Sequence, residues 1–180
     1  GVRGFGFIER VARAELPSYL DAARADGAPD FALRELDSAS LAELYVIRYI
    51  LPTRANAGAE GLNVGSEKHR RAAALMAIAS GKPAMSATVK LVQDQRRTPG
   101  VLLFAPAYEG GSVPADPAAR PTALVGLLYA PIIIRELLGG MADLQSRQVN
   151  FTLHDSEDNQ MFDADEQLAP GERGAGRRHA

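Results

Sequence analysis

The chain has 180 residues, 46% of them hydrophobic, which is enough for a packed core. Its formal net charge of -2, from 20 Lys and Arg against 22 Asp and Glu, leaves no electrostatic footprint for nucleic acid or an anionic membrane surface. No cysteine is present, so disulfides, thiolate metal sites and cysteine catalysis are excluded.

The spacing of Phe7, Val11, Ala14 and Tyr19 predicts a helix over Phe5–Ala25, kinked or restarted near Pro17. Asp26-Gly27-Ala28-Pro29-Asp30 ends it. Phe31–Leu36 alternates weakly and predicts a short strand. Tyr45–Leu51 predicts a strand with Tyr45, Ile47, Tyr49 and Leu51 on an apolar face and Val46, Arg48 and Ile50 on a mixed one. Pro52 ends its ladder.

After a loop over Thr53–Gly65, Ser66 reads as the N-cap of a helix running to Ser80, with Gly81 as its left-handed C-cap. The expected buried stripe is Ala72, Leu75, Met76 and Ala79, so Leu75 is a core candidate. Strands are expected at Ala87–Gln93, Val101–Pro106 and Ala123–Tyr129, with Val101–Pro106 central. The Gly- and Pro-rich stretch Glu109–Pro121 predicts a mobile surface loop. A helix is expected over 132–144 and a strand over Val149–Leu153, leading into the acidic turn Asp155–Asn159. The composition beyond Ala169 predicts a disordered tail.

The apolar run Ala123–Ile134 is shorter than the ~20 residues a membrane-spanning helix needs. A first residue other than Met is expected of a piece cut from a longer chain.

The succession Tyr49-Ile50-Leu51-Pro52, Asn56, Gly61-Leu62-Asn63, Arg70-Arg71, Ala74-Leu75, Ser80-Gly81-Lys82, Leu91-Val92-Gln93, Gly100–Leu103 and Pro106-Ala107-Tyr108 resembles a CHASE domain. Order and spacing carry the resemblance, over roughly Phe7 to Asp155. It implies an α+β fold in which an N-terminal helix precedes a PAS-like antiparallel sheet with flanking helices, followed by a partial second PAS-like subdomain. Residues 1–30 are then the end of a stalk helix and 31–145 the membrane-distal ligand-binding subdomain. Residues 146–165 start the membrane-proximal subdomain, and 166–180 form the tail.

The resemblance also implies a function. CHASE domains are extracytoplasmic sensors held between membrane helices on receptor histidine kinases and cyclic-dinucleotide enzymes, and plant members bind cytokinins. The expectation is a periplasmic sensor, anchored through helices outside this chain and homodimeric in the full bacterial receptor. It takes a small-molecule ligand, needs no cofactor and is not itself an enzyme.

The family register places candidate ligand-binding residues at Tyr49, Arg70, Arg71, Ser86, Val92, Phe104 and Tyr108. Plant members grip adenine with a carboxylate near the position of Arg70. A guanidinium only donates hydrogen bonds, so it cannot accept one from a purine N–H. A small polar family position likewise falls near Phe104. Both departures disfavour a cytokinin. An Arg pair at a helix start suits a carboxylate or phosphate instead, with an apolar body resting on Phe104 and Val92. Exposed arginines on a helix end are also common as plain solvated surface.

Two other classes stand beside the sensor: a ligand-free structural or dimerising ectodomain, and a small enzyme. His69, His154 and His179 show no metal spacing, and no nucleophile-base set can be assembled.

Overall fold

The computed structural model describes residues 1–37, 41–91, 99–138 and 151–163. Its centre is an antiparallel sheet made by β1 (Phe5–Ala12), β2 (Glu43–Leu51), β3 (Ala84–Met85), β4 (Val89–Lys90), β5 (Pro99–Tyr108) and β6 (Leu124–Ile132). The strand order is β2-β1-β6-β5-β3, with β4 also pairing β5. The α+β class is therefore as expected.

The first correction is at Phe5–Ala12, which forms a strand rather than the start of a helix. β1 lies inside the sheet, paired with β2 on one edge and β6 on the other. Ile8 is buried in the core on one face and Val11 in the core on the other. A strand buried on both faces loses its apolar-polar alternation, and Phe7 to Tyr19 then imitates helical spacing. The helix α1 spans only Leu16–Ala25, with Pro17 in its first turn, where proline is tolerated. Residues 5–12 of the expected stalk thus belong to the sheet.

The strand expected at Phe31–Leu36 is also absent. Its ladder is reduced to a single bridge between Arg34 and Leu62. Phe31 instead enters the second core, against Tyr19 at 6.0 Å between ring centroids.

β2 forms as expected, but its faces change midway. Phe7 pairs with Tyr49 and Ile8 with Ile47, which leaves Arg48 as the extra residue of a bulge. Ile47 and Ile50 therefore point into the same core. Tyr49 and Leu51 are exposed, contrary to the apolar face assigned to them.

A short helix α2 (Thr53–Asn56) and a 3-10 turn at Val64–Ser66 lead to α3 (Lys68–Ser80). Helix α3 packs on the sheet through Arg70, Ala73, Ala74, Ala77 and Ile78, not through the expected stripe. Leu75 and Met76 are 45% and 61% exposed. The small residues Ala73, Ala74 and Ala77 on that stripe let the helix lie close to the sheet, and that close approach fixes the rotation. Gly81 caps it at φ 68°, as expected.

β5 and β6 confirm the strands expected at Val101–Pro106 and Ala123–Tyr129. The stretch Glu109–Pro121 holds 3-10 turns at Glu109–Gly111 and Pro117–Ala119, and runs into α4 (Arg120–Ala123). Residues 134–138 are helical. The remainder of the helix expected over 132–144, and the tail, lie outside the described residues. So do Val92 and Gln93.

A separate two-stranded hairpin, β7 (Thr152–His154) and β8 (Gln160–Asp163), is the last of the described elements. The acidic turn sits between its strands. Phe162 buries itself against Val101 and Ile134, which joins the hairpin to the end of β5.

Candidate functional site

The site forms where α3 starts. Glu67 is the N-cap, and its carboxylate accepts from the amides of His69 at 3.0 Å and Arg70 at 3.2 Å. The cap expected of Ser66 is thus made one residue later. Ser66 is a turn residue whose hydroxyl donates to the Asn63 carbonyl at 2.6 Å. The anion position offered by the helix start is held by the protein's own carboxylate.

Arg70 is first on the inner stripe of α3, and its side chain enters the helix-sheet interface, where it is 3% exposed. Its Nη2 donates to the Lys90 carbonyl on β4 at 2.7 Å. Its Nε lies 3.7 Å from Glu67 Oε2, and is buried without a hydrogen-bond partner. Burial pulls the guanidinium pKa below its ordinary value, and the Glu67 charge only partly opposes this.

The second unpartnered polar atom here is the hydroxyl of Tyr129 on β6, also 3% exposed. Burial pushes the phenol pKa up, so the hydroxyl keeps its proton and can donate. Gly6, opposite Tyr129 across the ladder, leaves room for the ring. A Cβ there would lie 2.2 Å from it. Phe104 stacks on the other side, with centroids 6.4 Å apart.

Arg70 and Tyr129 line one small cavity of about 10 Å³, together with the aliphatic Ile47, Leu62, Val64, Leu91 and Leu102. Chemically it is an apolar pocket with two hydrogen-bond donors. A larger groove of about 490 Å³ lies beyond α1, lined by Gly27 to Ala32, Arg34, Ala57 and Glu60. Volume favours the groove. Chemistry favours the cavity, because the groove is walled mainly by loop residues and Arg34 already donates to the Glu60 carbonyl.

The other sequence candidates fall elsewhere. Arg71 turns outward and donates to the Gly65 carbonyl at 2.7 Å, so the two arginines do not form one anion clamp. Tyr49 is on the opposite face of the sheet, where its hydroxyl donates to Asp26 at 3.0 Å. Ser86 completes the sheet ladder, its Oγ accepting from the Leu102 amide at 3.0 Å. Tyr108 donates to the Ile78 carbonyl at 2.7 Å, near the far end of α3. Phe104 is fully buried and supports Tyr129 rather than lining the cavity. Val92 lies outside the described residues. Among the six described candidates, Arg70 alone lines the cavity.

Sequence reasoning missed Tyr129, Leu91 and Leu102. The available signal was Tyr129 itself, a polar-tipped ring inside the apolar run Leu124–Ile134.

Among the described residues, no cluster of three or more His, Asp or Glu is placed to hold a metal ion. No helix among them is long and apolar enough to cross a membrane. A search of curated proteins finds no match. The family model for the CHASE domain matches residues 1–162. With that match over most of its length, the chain belongs to the CHASE domain family, the sensory, non-catalytic domains of receptors.

Proposed function

We propose that this chain is the ligand-sensing ectodomain of a bacterial transmembrane receptor, and that its ligand docks between α3 and the sheet at Arg70 and Tyr129. The carrying observation is the pair of buried donors without partners in one cavity. Each such group costs about 1–3 kcal/mol in a core that serves only folding. An apolar side chain of similar shape would avoid that cost. Unpartnered donors on two residues that line one cavity are suited to a ligand acceptor.

The ligand class follows from charge. Glu67 lies 3.7 Å from Arg70 Nε, beyond hydrogen-bond reach, so an acid group is the best partner, and a carboxylate or phosphate can accept from both donors. Five aliphatic walls suit an apolar body. A cavity of about 10 Å³ holds about one water, so docking requires α3 to lift from the sheet. The alanine face of α3 makes that separation cheap in side-chain interlocking. The sensor then has two states with different ligand affinity.

Family membership supports the wider reading. The sheet with α3 across one face is the distal PAS-like unit, and the hairpin begins the proximal one. The receptor works as a homodimer, with this part in the periplasm and a kinase or cyclic-dinucleotide enzyme as output.

A thermal-shift screen of small carboxylates and phosphates against the full chain tests the ligand role. A true ligand at ~100 times its Kd adds about 2.7 kcal/mol of stability. Tyr129→Phe and Arg70→Met should each remove that gain. A ligand-free scaffold shows no shift in any pool. A gain that survives both substitutions places the ligand elsewhere.

A further inference from the structure

The hairpin β7–β8 touches the surroundings of Arg70 in two places. The Asp155 carboxylate accepts from the Thr88 amide at 2.9 Å. Thr88 leads straight into β4, whose Lys90 carbonyl holds Arg70 Nη2 at 2.7 Å. On the other side, Glu157 Oε1 lies 3.3 Å from Nδ1 of His69, the residue before Arg70 on α3. Asp155 also shapes the turn that presents Glu157, because its Oδ1 accepts from the amides of Glu157 and Asn159, each at 2.9 Å.

The two contacts close a ring. It runs from Arg70 through the Lys90 carbonyl to β4, through Thr88 and Asp155 to the turn, and through Glu157 and His69 back to α3. Partly exposed polar contacts of this kind add little stability singly. Their placement is more telling. They grip the two elements that Arg70 itself joins, and the buried Phe162 supplies a pivot behind them.

We propose that this ring is the sensor's transmission element: drawing Arg70 away from the Lys90 carbonyl moves the hairpin through the Thr88–Asp155 and His69–Glu157 contacts. The inference rests on Arg70 as the ligand-responsive group, but the coupling it requires exists without ligand. By linkage it is reciprocal, so changes in the turn must be felt at Arg70.

NMR on the full chain, with no ligand added, tests it. Arg70→Lys keeps the charge and loses the fork that reaches Lys90. It should speed amide exchange across β7–β8 about tenfold, a typical size for coupled neighbours. In an Asp155→Asn, Glu157→Gln background the same substitution should leave hairpin exchange unchanged. In the reverse direction, Asp155→Asn and Glu157→Gln should each shift the Arg70 Nε–H signal, while Ser156→Ala in the same turn should not.

An equal exchange increase in both backgrounds overturns the proposal, as does no increase at all. Amides of Ile8 and Leu127, inside the main sheet, report global unfolding. If Arg70→Lys raises those too, the turn variants decide alone, and an unmoved Nε–H signal overturns the ring. A failed ligand screen with an intact ring sinks only the ligand role. A found ligand with no ring coupling sinks only the transmission.

Discussion

At Tyr129, fold and function pull in opposite directions. Its ring fills the space beside Gly6 and Phe104, but its hydroxyl is buried with no partner. Tyr129→Phe keeps the ring and removes the unmet donor. The free chain should become more stable by about 1 kcal/mol, read by urea unfolding. A ligand that accepts from the hydroxyl should bind more weakly to the same variant. Loss of stability would mean that the hydroxyl has a structural partner. Asn63 is the contrasting case, a buried polar residue spent wholly on the fold. Its Oδ1 accepts from the amides of Tyr45 and Gly65 at 3.0 Å each, and its Nδ2 donates to Glu35 at 2.9 Å. Asn63→Ala strands buried amides and should cost roughly 2–3 kcal/mol in the same assay. Neither role is legible in sequence, because both depend on which polar atoms meet across distant segments.

At the scale of elements, α3 shows how much a sequence can say about a site. Its C-terminal end was legible and its start was legible to within one residue, because a capping side chain and a terminal glycine have local causes. Its rotation was not. The large side chains Leu75 and Met76 suggested one stripe, and close packing on the sheet selected the alanine stripe instead. That stripe carries Arg70 inward, so one misjudged rotation also hid the cavity. Two substitutions separate the stripes. Leu75→Ala, on the exposed side, should change stability by no more than about 0.5 kcal/mol. Ala74→Leu, at a fully buried contact, should overpack the interface and cost about 1–3 kcal/mol. The reverse ranking in thermal or urea unfolding would restore the larger stripe as the core. β1 was misread for a related reason: a strand covered on both faces has no period of two to find. The strands β5 and β6 were legible because their apolar runs are bounded by turn residues.

Across the whole molecule, the main sheet and the terminal hairpin are joined by a small apolar cluster and a few polar contacts, and one carboxylate organises the polar part. Partial burial works to raise the pKa of Asp155. The hydrogen bonds from Thr88 and Asn159 outweigh it and hold the carboxyl well below the usual range. The sign of the pH effect follows. A group whose folded pKa is depressed contributes stability above its unfolded pKa, ordinarily about 3.9, and loses it as pH falls through the folded value. Hairpin docking should therefore be independent of Asp155 ionisation at neutral pH and weaken below about pH 4. Amide exchange within β7–β8, relative to that within β1 and β6, measures it. The difference between wild type and Asp155→Asn should be constant from pH 7 to about pH 5 and shrink on further acidification. A difference that grows as pH falls would show that the protonated carboxyl makes the contact. The main sheet has acid-sensitive contacts of its own, the Arg10–Glu43 and Arg13–Glu35 pairs, so the part of the loosening that Asp155→Asn abolishes is the part assigned to Asp155. Loosening confined to the hairpin would then mark it as a separately movable part, which a sensor's output end requires.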